Sequence, residues 1–189
     1  TGINEPAGNG EMVSVFLKQD TCRTEIEILL SVRDGLILGI GNGFQALVKT
    51  GLLPYGKFTE TDANSPTFSQ NVIGRHQAKI VKTRICSNLS PWLSSYRVDD
   101  TTTLPVSCSY GRLIINVDTL AQLDESGQIA TQYVDYDGMP STSIRYNPSN
   151  SVCAIEAITS PDGRILGKMG HSDRTSDSMI FKNSIEFFK

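Results

Sequence analysis

Residues 36–51 of this 189-residue chain run LILGIGNGFQALVKTG, an apolar stretch, a cluster of glycines and a helix-like segment in that order. When a strand turns sharply into a helix, the turn lifts one side chain clear of the backbone at the helix N-terminus. There the helix's partial positive charge lowers the pKa of a thiol. Closely spaced glycines accept the unusual dihedral angles such a turn needs. In Gly39-Ile40-Gly41-Asn42-Gly43-Phe44-Gln45 the exposed position of a nucleophile elbow is Gly41, which carries no side chain. Other residues with chemical capacity are few. The four cysteines (Cys22, Cys86, Cys108, Cys153) are scattered, with no CxxC pair. That argues against a zinc site or a disulfide framework, and no metal site is expected. They read as buried thiols in a reducing cytoplasm, and Cys108 as an inert one. His76 lies in a strand-like basic run and reads as structural. Taken alone, His171 reads the same way, and Asp173 beside Arg174 reads as a surface ion pair.

The elements that would position an elbow can be traced along the chain. Residues 1–10 are rich in Gly, Pro and Asn and read as a loop. Residues 12–16 and 24–32 have helical character. Asp34-Gly35 marks a turn, and residues 36–40 suit a strand buried on both faces, as in a parallel sheet. The helix that follows is stopped near Gly51 and Pro54. Residues 72–87, 104–115 and 128–134 are strand-like. In residues 72–87, Lys79, Lys82 and Arg84 alternate with apolar neighbours as on a solvated face. Trp92, in SPWL, reads as a packing residue. Asp137-Gly138 and Asp162-Gly163 are hairpin-type turn signals, and AIEAIT and RILGKMG are the two arms around the second. Residues 179–188 fit a short amphipathic helix. The mixture predicts an α/β sheet with a substantial antiparallel portion.

Bulk properties set the outer limits. Apolar residues make up 39% of the chain and charged residues 20%, enough for one packed domain. A formal net charge of -3 gives no basic field for nucleic acid. No run approaches the roughly 20 apolar residues of a membrane span, and no secretory signal is visible. The expected location is cytoplasmic, with neither nucleic acid nor membrane as partner.

Two segments carry a resemblance to a known family. LGIGNGFQALVKTGLLPYG is similar to the elbow of phosphoribosylformylglycinamidine synthase, whose pattern is G-[IV]-C-N-G-x-Q. SPDGRILGKMGHSDR, residues 160–174, resembles that family's SPDGRILGKMGHSER more closely still. Weaker similarity runs through NVIGRHQAKIVKTRICSNLSPWL, LPVSCSYGR and GQIATQYVD, so the likeness covers nearly all of the chain. It implies a class I glutamine amidotransferase (flavodoxin-like) sheet with an antiparallel extension. It also implies that residues 1–189 form a C-terminal amidotransferase-like domain, a fragment of a larger synthase chain without the sheet's N-terminal strands.

In such synthases the amidotransferase hydrolyses glutamine and passes ammonia to a synthetase domain, which uses ATP to make the amidine in purine synthesis. The resemblance therefore implies a synthetase domain on the same polypeptide as partner, and glutamine or ammonia as small-molecule partners. No cofactor is implied in this domain, while ATP and Mg belong to the synthetase part. The family's Cys-His-Glu triad maps onto Gly41, His171 and Asp173, and Asn42, Gly43 and Gln45 map onto the substrate-binding stretch. For Gln45, a pocket residue and a helix residue facing water are equally open. Glycine cannot form the thioester, and aspartate shortens the orienting carboxylate by one methylene. The family's HGEGR reads Cys108-Ser109-Tyr110-Gly111-Arg112 here. Its opening loop GGDEPDGS reads Gly2-Ile3-Asn4-Glu5-Pro6-Ala7-Gly8-Asn9. These departures imply an impaired glutaminase step. The alternative is a non-catalytic pseudo-amidotransferase with a scaffolding or regulatory role.

Overall fold

A computed structural model describes residues 10–175 and 179–189. The opening-loop substitutions at residues 2–9 lie outside the described residues. Two helices come first, α1 (Glu11–Leu17) and α2 (Asp20–Ser31). The chain then enters strand β1 (Ile37–Ile40), turns at Gly41 and continues as α3 (Asn42–Lys49) and the irregular turn α4 (Leu52–Tyr55). A short strand β2 (Thr67–Ser69) precedes the long strands β3 (Gln77–Ile85) and β4 (Thr101–Cys108). After β5 (Arg112–Ile114) come α5 (Val117–Glu125) and β6 (Ile129–Val134). The hairpin β7 (Ile155–Thr159) and β8 (Ile165–Lys168) follows, and α6 (Met179–Phe187) comes last.

Six strands form one sheet in the order β1-β8-β7-β6-β3-β4, and β2 pairs with β5 in a separate ribbon. Only β1 and β8 run parallel; every other pairing in the large sheet is antiparallel. The expected mixed α/β sheet with an antiparallel extension is therefore observed. The apolar pattern explains the layering. On one face Phe44, Leu47, Val48 and Leu53 pack with Phe68, Leu113, Ile158 and Ile165. The rings of Phe44 and Phe68 meet edge to face at 4.9 Å. On the other face Ile85, Trp92, Leu93, Ala157, Leu166 and Ile180 form a second cluster. β8 is buried along its whole length because it lies between these two layers.

Several expectations need correction. β1 is only half-buried apart from Gly39, because it lies at the sheet edge and pairs with β8 alone. Residues 72–76 form a turn rather than strand, since Asn71 bonds the carbonyl of Arg75 through its side chain and receives the N–H of Gly74 on its own carbonyl. The Asp137-Gly138 turn closes only a single bridge, between Val134 and Pro140. Of the cysteines, Cys108 is buried, Cys22 and Cys86 are partly covered, and Cys153 is exposed; all four are free. Trp92 is buried as expected and donates its indole N–H to the Arg164 carbonyl. Among the described residues no helix is long and apolar enough to cross a membrane.

Candidate functional site

The site begins where β1 ends. The register pairs Ile40 with Lys168, and Gly41 still donates its N–H to the Lys168 carbonyl at 2.9 Å. At Gly41 the backbone turns to φ 57 and ψ -115, and α3 starts at the next residue. These angles lie where a residue with a Cβ is strained, so the elbow is real and glycine suits it. Asn42 and Gly43 occupy the first two helical positions.

His171 reaches the same place from the end of β8. A Cβ built on Gly41 would lie 3.6 Å from His171 Cε1 and 3.7 Å from Nε2. The opposite ring nitrogen, Nδ1, stands 3.2 Å from Asp173 Oδ1. With a carboxylate there, the proton resides on Nδ1, and the Nε2 lone pair faces Gly41. Burial holds the imidazole below its ordinary pKa, and Arg174 and Lys168 add to this against the opposing pull of Asp173. A neutral ring with its free nitrogen turned to the elbow is the form a general base needs. Asp173 also keeps the surface pairing expected from sequence, with Arg174 Nε 3.9 Å from Oδ2.

Gln45 does not face water. It is 1% exposed, and its side-chain N–H donates to the Tyr110 carbonyl. This contact places residues 108–112 against α3, so two segments that depart from the family pattern stand together. Cys108 is no substitute nucleophile: burial pushes its thiol up, its neighbour is Ser149 Oγ at 3.6 Å, and a protonated thiol is a poor attacker. His76 is exposed, between the hydroxyls of Ser107 and Ser109. The structure thus brings Gly41, Asn42, Gly43, Gln45, His171 and Asp173 to one end of the sheet. Sequence reasoning missed Glu156 and Lys168, buried behind His171 and 3.5 Å apart. A single sequence holds no sign that AIEAI and LGKM bury opposite charges together.

The family model described as CobB/CobQ-like glutamine amidotransferase domain matches residues 3–186. The chain belongs to this family. Similar curated proteins are the phosphoribosylformylglycinamidine synthase subunits PurQ of Gloeobacter violaceus and of a Synechococcus species. The first is 34% identical over 78% of this chain and 58% of its own length. The second is 35% identical over 77% of this chain and 55% of its own length. The chain thus spans rather more than half the length of these relatives. Among solved structures, "Structure of PurLQS from Thermotoga maritima" matches with a TM-score of 0.67 at 20% identity, covering 93% of this chain and 72% of that one. That similarity shows a shared fold. The chain is a PurQ-like glutamine amidotransferase domain in which glycine occupies the elbow.

Proposed function

We propose that this domain is the ammonia-supplying part of a phosphoribosylformylglycinamidine synthase in purine biosynthesis, with its own glutaminase step impaired. The observation that carries the reading is Gly41: an elbow-type backbone with a histidine and its carboxylate facing it, and no side chain at the facing position. In a working site a thiolate attacks the glutamine carboxamide carbon, and the oxyanion is met by backbone N–H groups at the helix start. Protonated by the histidine, ammonia then leaves, and water cleaves the resulting thioester. His171 and Asp173 are the residues for proton transfer, and Asn42, Gly43 and Gln45 line the substrate side. The sulfur is what Gly41 lacks. The names of the relatives support a synthetase partner that takes up the ammonia; their designation as subunits favours a separate chain over the expected synthetase domain on the same polypeptide. ATP and Mg belong to that partner.

The test is synthase turnover by this domain together with its synthetase, with ammonium or glutamine as nitrogen source. Ammonium should support turnover, and glutamine should support less by on the order of 10³-fold or more, the scale of losing a nucleophile. Comparable use of the two would sink the reading.

A further inference from the structure

We propose that the buried Glu156–Lys168 pair is the positioning device of His171, clamping the peptide before the histidine so that the ring stays over Gly41. This rests on the reading of Gly41 and His171 as facing members of one site. The need for a clamp follows from the sheet. Lys168 is the last residue of β8 paired on either side, with Ile40 and with Ala157. Beyond it the sheet adds one further backbone bond, from Met169 N–H to the Glu156 carbonyl at 3.2 Å, and the histidine comes two residues after that.

Side chains take over there. Gly170 donates its N–H to Glu156 Oε1 at 2.5 Å. Its carbonyl accepts from Lys168 Nζ at 3.0 Å, and the same ammonium donates to Ser172 Oγ at 3.0 Å. His171 donates its own N–H to the Pro105 carbonyl at 2.8 Å. The peptide group preceding the ring, and the residue after it, are therefore all held. Thr131 donates to the second Glu156 oxygen and anchors the carboxylate from β6. Glycine at position 170 is part of the design, since a Cβ there would lie 1.9 Å from Leu104 Cδ1 and 2.9 Å from Glu156 Oε1.

Stability alone does not account for such a pair. Both side chains are almost wholly buried, at 0% and 4% exposure. Buried ion pairs are often no more stabilising than apolar residues of similar volume. What an apolar replacement cannot supply is an acceptor for Gly170 N–H and donors for Gly170 O and Ser172 Oγ.

The test reads the His171 ring directly in the whole chain. His76→Gln removes the other of the two histidines. The charged groups facing His171 are Asp173 and Arg174 from its own turn and Lys168 from β8. β4 contributes the Pro105 carbonyl, and the start of α3 contributes Gly41. The double variant Glu156→Leu/Lys168→Met leaves neither charge buried and unpaired, but it also removes the Lys168 charge that lowers the imidazole pKa, so a raised midpoint counts for the clamp only together with loss of the Nδ1–H signal. We expect a folded protein in which the His171 titration midpoint, followed by NMR, rises toward the ordinary imidazole value by roughly half a pH unit or more. The hydrogen-bonded Nδ1–H signal should be lost as well. An unchanged Nδ1–H signal overturns the proposal, whatever the midpoint does. If the double variant does not fold, Ser172→Ala takes its place. It keeps every charge and removes one contact of the clamp, and an unchanged midpoint there overturns the proposal equally. The site reading fails separately: in Gly41→Cys, an alkylation profile with an ordinary thiol pKa would deny that position 41 faces His171, while the ring titration would still report on the clamp.

Discussion

At Gly41 the backbone angles φ 57 and ψ -115 cost a glycine little and any other residue a good deal more. Placing a sulfur there sets two effects against each other. Gly41→Cys should lose about 1–3 kcal/mol of stability to backbone strain, read as a lowered urea midpoint. Its thiol should titrate below the ordinary value of about 8.5, because a helix start and His171 Nε2 adjoin it. The pH dependence of its alkylation by iodoacetamide measures this, and an ordinary profile would contradict the geometry. His171 gives a second prediction. Its folded pKa lies below the unfolded value of 6.5, so the unfolded chain takes up this proton first as pH falls. The corresponding stability is fully present above pH 6.5 and is lost as pH falls through the folded pKa. In His171→Gln that part of the acid sensitivity should vanish. The comparison is between urea midpoints of the two proteins from pH 7.5 downward, and parallel curves would refute it. The facing positions 41, 171 and 173 were legible from the family-like motifs around them. Glu156 and Lys168 were not, because charged residues in strand-like stretches normally read as solvent-facing, and only the folded register shows these two behind the histidine.

Among the elements, local sequence signals succeeded where pattern and turn chemistry agreed. The hairpin of β7 and β8 was legible because Asp162-Gly163 separates two apolar arms, and Gly163 does take a positive φ of 73. The strand, glycine turn and helix around Gly41 were legible for the same reason. α5 was not recognised, since it is short and lies between two β-rich stretches. Its signal was present in Asn116 followed by apolar Val117, Leu120 and Leu123 at helical spacing. In the structure the Asn116 side chain accepts the Thr119 N–H at 2.8 Å and caps the helix. It also donates to the Asn64 carbonyl at 2.6 Å, tying α5 to the preceding loop. Asn116→Ala should therefore cost about 0.5–2 kcal/mol, the range for losing such a cap. Chemical denaturation followed by circular dichroism would measure it, and a change within error would mean the cap contributes nothing.

At the scale of the whole molecule, distant parts of the chain meet at one residue. Trp92 lies in the connection between β3 and β4, and its indole N–H donates to Arg164 at the start of β8. Its carbonyl accepts from Asn183 of α6 at 2.9 Å, while Ser95 donates to the same asparagine at 2.6 Å. Asn183 is buried, and Ile180 one turn earlier enters the cluster with Ile85, Leu93 and Leu166. The last helix thus closes the sheet face that carries Lys168 and, behind it, the histidine. If this junction couples the parts, the chain should unfold as one unit. The only tryptophan reports on it directly, since fluorescence sees the junction and circular dichroism sees all the helices. Asn183→Ala leaves the Trp92 carbonyl buried without its donor, which costs about 1–3 kcal/mol. The urea curves by the two probes should shift together by that amount and remain superimposed. A fluorescence transition that separates from the circular dichroism transition would show that α6 is a loosely attached element, and that it does not hold the face behind His171.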